Sequence, residues 1–168
     1  MTIYLCGFMG CGKSTVGTKL AKKLNCPFVD MDTYIEEQAG MTIPEIFEKY
    51  GEPHFRDLET QAIRELAGRD GVIACGGGAM LREENAEIAA KNGSVVYLEV
   101  PFHVCYRRIA DSDRPIVRRS TREELETLYN YREGIYRKHS THIAACDKTP
   151  AAAVADICSV LGLIGEEQ

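Results

Sequence analysis

Residues Gly7-Phe8-Met9-Gly10-Cys11-Gly12-Lys13-Ser14 decide how the rest of the chain is read. They fit G-x-x-x-x-G-K-[ST], the pattern of a phosphate-binding P-loop. The flanks fit as well: Ile3-Tyr4-Leu5-Cys6 reads as a buried strand, and Val16, Leu20 and Leu24 recur at helical spacing afterwards. Glycines let backbone N–H groups approach phosphate oxygens, and a helix N-terminus adds positive potential. Lys13 is then placed to reach the β- and γ-phosphates of a nucleotide, and the Ser14 hydroxyl to ligate Mg²⁺. The bland alternative is a glycine-rich turn with a chance lysine.

The chain has 168 residues. That length suits a single domain spanning 1–168, burying roughly 70% of its unfolded surface. A formal net charge of −5 argues against nucleic acid as the main partner. No apolar run approaches the ~20 residues of a membrane span. Met1-Thr2-Ile3 leads straight into the first strand, so no signal peptide and a cytoplasmic location are expected, and a monomer with them. The seven cysteines (Cys6, Cys11, Cys26, Cys75, Cys105, Cys146, Cys158) are odd in number and form no C-x-x-C pair. They read as reduced, mostly small apolar side chains. Gly165-Glu166-Glu167-Gln168 is expected to fray.

Outward from the P-loop, strands are expected at Ile3–Cys6, Phe28–Asp30, Val72–Cys75, Val95–Val100 and Ile143–Cys146. Helical patterns fall between them. Thr42-Ile43-Pro44-Glu45 is a capping-box signature opening a helix toward Tyr50. Phe55, Leu58, Ala62 and Leu66 line one helical face. Arg82–Lys91 is stopped by Asn92-Gly93, and Glu123–His139 and Ala151–Leu161 follow. Strands separated by helices imply an α/β fold, a five-stranded parallel sheet with right-handed crossovers. On such sheets ligands bind at the carboxyl ends of strands.

Asp30-Met31-Asp32 ends the second strand. In extended chain, residues i and i+2 point to the same side, which would aim both carboxylates at the P-loop. One would hold the hydration shell of Mg²⁺ and the other accept a proton from an attacking hydroxyl. Alternatively, Asp32 only caps a helix over Thr33–Gln38. Arg56 and Glu59 lie three apart on one helical face, either a surface ion pair or an arginine aimed at a substrate anion and held by its glutamate. Gly76-Gly77-Gly78 gives bare backbone for close approach by a ligand and for N–H donation. No Walker-type aspartate stands there, which leaves the metal to Asp30. Arg107, Arg108, Arg114, Arg118, Arg119 and Arg122 crowd a segment whose periodicity fails from Ile109 to Thr121. It reads as a lid over phosphates or as a solvated charged loop. Cys11, beside a helix N-terminus, is expected to be the most reactive thiol, unless it points inward as a small residue that fits.

Taken together, these residues resemble the shikimate kinase family along nearly the whole chain. The resemblance is carried by Gly7–Ser14, Phe28-Val29-Asp30-Met31-Asp32, Ile43-Pro44-Glu45-Ile46-Phe47, Gly51-Glu52-Pro53-His54-Phe55-Arg56-Asp57-Leu58-Glu59, Gly76–Gly78, Arg114-Pro115, Arg132 with Tyr136, and Asp147 before Pro150. It implies a P-loop NTPase-type fold with a mobile lid at about 109–121 and a substrate-binding helical segment at about 33–61. It implies transfer of the γ-phosphate of ATP to the 3-hydroxyl of shikimate, in chorismate and aromatic amino-acid biosynthesis. Asp32 would accept the hydroxyl proton. Arg56 and Arg132 would clamp the carboxylate, with Gly76, Gly77 and Gly78 beside them. Lys13 and Arg114 would stabilise the transferring phosphoryl group. ATP would lie on Gly10, Cys11, Gly12, Lys13, Ser14 and Thr15, its adenine between Arg108 and Pro150. Mg²⁺ would meet Ser14 directly and Asp30 through water. The chain departs from the family at Cys11, at Cys75, at Gly134 where proline is frequent, and in a short Ile109–Asp113 stretch. Other readings are a gluconate kinase, a nucleoside monophosphate kinase, or a catalytically inactive nucleotide-binding module; intact Asp32, Arg114 and Arg132 weigh against the last.

Overall fold

The first strand of the sequence is the central strand of the sheet. In the computed structural model, which describes residues 1–163, β1 (Thr2–Cys6) is followed by β2 (Phe28–Asp30), β3 (Gly71–Ala74), β4 (Ser94–Glu99) and β5 (His142–Ala145). The spatial order is β2-β3-β1-β4-β5, and every pairing is parallel. Ile3 stands beside Val72 on one side and Ser94 on the other. A parallel sheet covered on both faces needs continuous apolar strands. Tyr4, Leu5, Cys6, Val95, Val96 and Leu98 are accordingly buried completely.

The helices are α1 (Lys13–Lys23), α2 (Met31–Ala39), α3 (Ile43–Tyr50), α4 (Glu52–Leu66), α5 (Glu83–Asn92), α6 (Phe102–Ile109), α7 (Pro115–Arg118), α8 (Arg122–His139) and α9 (Pro150–Val160). Helix α1 lies close against the sheet because residue 17 is glycine. A β-carbon there would come within 2.6 Å of the Phe28 ring. None of the helices among the described residues is long and apolar enough to cross a membrane.

All five expected strands are present, each within one residue at either end. Three local expectations change. Helix α2 starts at Met31, and its cap is Asp30, whose Oδ1 accepts from the Thr33 N–H at 3.2 Å. Asp32 is therefore no cap, and it lies in a helical turn where the extended-chain argument for its direction does not apply. The stretch 101–109, given no element from sequence, forms α6, and the segment expected to be irregular contains the short helix α7 with Pro115 in its first turn. Thr42 does cap α3, accepting from the Glu45 N–H at 3.3 Å. A reciprocal capping box forms instead at Thr121 and Glu124, opening α8. The fraying expected of Gly165–Gln168 falls outside the described residues.

Candidate active site

Each predicted motif sits at the carboxyl end of a strand or on a helix that overhangs that edge. The loop after β1 wraps into α1 through Gly10 and Gly12, both left-handed at φ 79° and 93°, a conformation that favours glycine. Gly10 is also the point of closest approach to α6: a β-carbon there would lie 2.8 Å from the Cys105 carbonyl oxygen. Lys13 Nζ spans the loop, donating to the Gly7 and Phe8 carbonyls at 2.7 and 3.2 Å. Arg108 Nη1 donates to the Gly10 carbonyl at 2.9 Å, tying α6 to the loop. Ser14 Oγ donates to Asp30 Oδ2 at 2.6 Å. This is a pair of hard oxygen ligands, the kind Mg²⁺ takes from protein in ones and twos while keeping water and phosphate as its other ligands.

One cavity of about 760 Å³ joins the phosphate loop to α3 and α4. It is lined by Gly10, Gly12, Lys13, Ser14 and Thr15, by Asp30 and Asp32, by Arg56 and Glu59, by Gly76–Gly78, and by Arg108, Arg114 and Arg132. Two predicted residues, Cys11 and Pro150, instead line a smaller cleft of about 160 Å³, which shares Gly12, Thr15 and Arg108 with the main cavity. The Cys11 side chain turns inward. The residue is 2% exposed, and its Sγ would lie 2.8 Å from a β-carbon on Gly7. The thiol expected to be most reactive is thus buried, and Cys26 is the one cysteine of the seven not buried.

Of the charged residues on the cavity, Glu59 and Arg132 are buried and Asp32 and Arg56 half-buried, whereas Arg108 and Arg114 are exposed. Glu59 is 1% exposed and accepts from Arg56 Nη1 at 2.7 Å, so a solvated surface pair is excluded. Arg56 Nη2 reaches Glu52 Oε1 at 3.0 Å. Burial raises the Glu59 carboxyl to about 7, outweighing the pull of Arg56 in the other direction. The Asp32 carboxyl is also raised, first by burial and next by repulsion from Asp30, with Lys13 and Arg114 drawing it back. Asp32 Oδ1, Glu59 Oε2 and Arg132 Nε are buried with no hydrogen-bond partner among the described residues. Such groups are costly unless something satisfies them, and all three belong to residues that line the cavity.

The three glycines after β3 explain how these groups fit together. A β-carbon on Gly76 would lie 2.7 Å from Asp32 Oδ1 and 3.0 Å from Glu59 Oε2; on Gly77 it would lie 3.7 Å from Arg132 Nη1; on Gly78, 2.0 Å from Arg56 Nη1. None of the three has a positive φ. At Gly76 and Gly78 glycine is needed for space, which Asp32, Glu59 and Arg56 fill, whereas a β-carbon on Gly77 would sit at ordinary contact distance, 3.5 Å from Met9 Cγ. Ile43, Pro44, Phe47 and Phe55 form an apolar wall on the cavity; the sequence placed them within the 33–61 segment and its family motifs but not among the site residues.

The family model for shikimate kinase matches residues 9–161. The chain belongs to the shikimate kinase family. A shikimate kinase from Sulfurihydrogenibium is 43% identical over 157 residues, covering 92% of this chain and 94% of the relative. The structure of a shikimate kinase from Acinetobacter baumannii in complex with shikimate superposes with a TM-score of 0.89 at 37% identity, over 99% of this chain and 95% of that one. A gluconokinase from Sinorhizobium meliloti shares only the fold, at 20% identity and a TM-score of 0.57. Shikimate kinases are ATP-dependent phosphotransferases, and the P-loop at the cavity is the nucleotide-binding element such an enzyme requires.

Proposed function

We propose that the protein transfers the γ-phosphoryl group of ATP to the 3-hydroxyl of shikimate, with Mg²⁺ as cofactor. The observation that carries this reading is the place of Asp32. Its carboxylate, with one buried oxygen unpartnered, stands in the same cavity as Lys13 on the phosphate side and Arg56 and Arg132 on the other. In that position Asp32 accepts the proton of the attacking hydroxyl as the O–P bond forms. Its raised affinity for protons suits this task better than an ordinary aspartate would. Arg56 and Arg132 hold the substrate carboxylate, a planar anion matched by guanidinium donors. Lys13 and Arg114 meet the negative charge that spreads over the transferring group. Arg108 and Pro150 flank the adenine. Ser14 directly, and Asp30 through water, hold Mg²⁺, which when bound neutralises charge on the β- and γ-phosphates. Residues 109–121, with Arg114 on the cavity, form a lid that excludes water from the reaction.

ADP release is the test, with purified protein offered shikimate, gluconate or nucleoside monophosphates, with and without Mg²⁺. Turnover is expected only with shikimate and Mg²⁺. Equal turnover with gluconate would move the substrate assignment. Nucleotide binding with no turnover on any acceptor would leave a binding module.

A further inference from the structure

The chain from Gly76 to Met80 shows an asymmetry in its backbone hydrogen bonds. Every carbonyl is held. Gly76 O accepts from the Ala79 N–H at 3.1 Å and Gly78 O from the Leu81 N–H at 3.2 Å. Ala79 O accepts from Asn85 Nδ2 at 2.8 Å, and Met80 O is bonded to His139 Nδ1 at 2.7 Å. Gly77 O accepts from the Tyr136 hydroxyl. The N–H groups of Gly76, Gly77 and Gly78, by contrast, donate to no acceptor among the described residues.

The bond at Gly77 governs where one of those donors points. In a trans peptide the C=O of one residue and the N–H of the next are directed oppositely, and the chain has no cis bond. With Gly77 O drawn back to α8, the Gly78 N–H faces away from α8; Gly78 lines the cavity, and Arg56 packs against its Cα. A glycine pair can rotate this peptide at little steric cost. The rotated form would present a carbonyl oxygen where an anion is to bind. Tyr136 itself is fixed. It is 1% exposed, stacks on Tyr97 with ring centroids 5.4 Å apart, and stands one helical turn after Arg132 on the same face.

The geometry points to Tyr136 as a positioning residue for substrate binding: its hydroxyl selects the peptide orientation that offers the Gly78 N–H to the substrate anion. This rests on the proposed shikimate reaction and adds a residue that does not touch the substrate. Tyr136→Phe removes the hydroxyl and keeps the stacked ring. The KM for shikimate is expected to rise on the order of tenfold, the size of a lost hydrogen bond to a charged group, with a smaller change in kcat and no change in the KM for ATP. A parallel loss of affinity for both substrates together with a lowered Tm would reduce Tyr136 to a structural residue and overturn the assignment. So would an unchanged KM for shikimate. Amide NMR of the wild type gives a second measurement should the variant fail to fold. Titration with shikimate must shift the Gly78 amide, and titration with a non-hydrolysable ATP analogue must not; a Gly78 amide indifferent to shikimate overturns the proposal. Wild-type turnover is measured alongside, so that inactivity on shikimate, which sinks the proposed reaction, is distinguished from an active enzyme that ignores the loss of the Tyr136 hydroxyl.

Discussion

The Arg56 guanidinium occupies the space that a side chain at residue 78 would need: a β-carbon on Gly78 would lie 2.0 Å from Arg56 Nη1. The arginine is fixed on its other side by Glu59 at 2.7 Å and Glu52 at 3.0 Å. It is therefore clamped between a bare backbone and two carboxylates, and any change at either side moves it.

Gly78→Ala is the sharpest probe of that clamp. The added methyl must displace Arg56, because the clash involves the rigid guanidinium end of a side chain already held by ion pairs. The KM for shikimate should rise by on the order of 10- to 100-fold, the range for losing a charge-assisted hydrogen bond. The KM for ATP should stay as it was. An alanine variant with normal shikimate kinetics would show that Arg56 takes no part in binding the acid.

Asp32→Asn should lower kcat by on the order of 10²–10⁴ while leaving ATP binding intact, as for loss of a positioned general base. The helix gives no competing explanation, since Asp30 supplies the cap of α2. Calorimetric ATP binding beside steady-state turnover separates the two quantities. Near-wild-type turnover would remove Asp32 from the chemistry.

Gly134→Ala addresses stability alone. Gly134 lies inside α8, and a β-carbon there would meet nothing within 4 Å. Alanine in an open helical position limits the unfolded chain and should stabilise the protein by about 0.4–1 kcal/mol. That corresponds to a rise in Tm of roughly 1–4 °C for a chain of this size. A lowered Tm would mean that the residue is needed as glycine for a reason other than space.

The parallel sheet was legible because its strands are short apolar runs separated by helices, and the P-loop because its glycines and lysine act through backbone and spacing. Asp32, Arg56, Gly76–Gly78 and Arg132 were nameable as separate motifs, and the structure brings them to one cavity. Their mutual fit was not legible. That the glycines make room for Asp32, Glu59 and Arg56 depends on how the end of β3 meets α2 and α4, contacts between residues 17 to 44 positions apart. The start of α2 was misread for a local reason. Either aspartate of Asp30-Met31-Asp32 is an acceptable cap by type, and only the turn of the backbone chooses Asp30.

Thiol chemistry follows burial. Cys26 is the one cysteine not buried, whereas Cys11 is 2% exposed. Peptide mapping of a timed alkylation should find Cys26 modified first, with no protection by ATP, and Cys11 only under conditions that open the fold. Rapid labelling of Cys11, blocked by Mg·ATP, would instead mean that the phosphate loop opens readily in solution.

Glu59 sets a pH dependence whose sign is fixed by the direction of its shift. Burial raises it from the ordinary 4.5 to about 7 in the folded protein. Below the lower value both folded and unfolded chains hold the proton, and the contribution to stability is fully present. Between the two values the unfolded chain releases its proton first, so stability falls as pH rises, and the loss is complete above the folded value. Glu59→Gln removes this dependence. The wild-type urea midpoint, measured relative to that of the variant, should therefore decline as pH is raised from about 4.5 to about 7 and level off above. The same ionisation acts on binding. Neutral Glu59 leaves the Arg56 charge to the substrate carboxylate, and ionised Glu59 at 2.7 Å competes for it. The KM for shikimate should rise with pH through about 7 in the wild type and stay level in Glu59→Gln. A midpoint difference independent of pH would show that the Arg56 ion pair outweighs burial and that Glu59 remains ionised across the range.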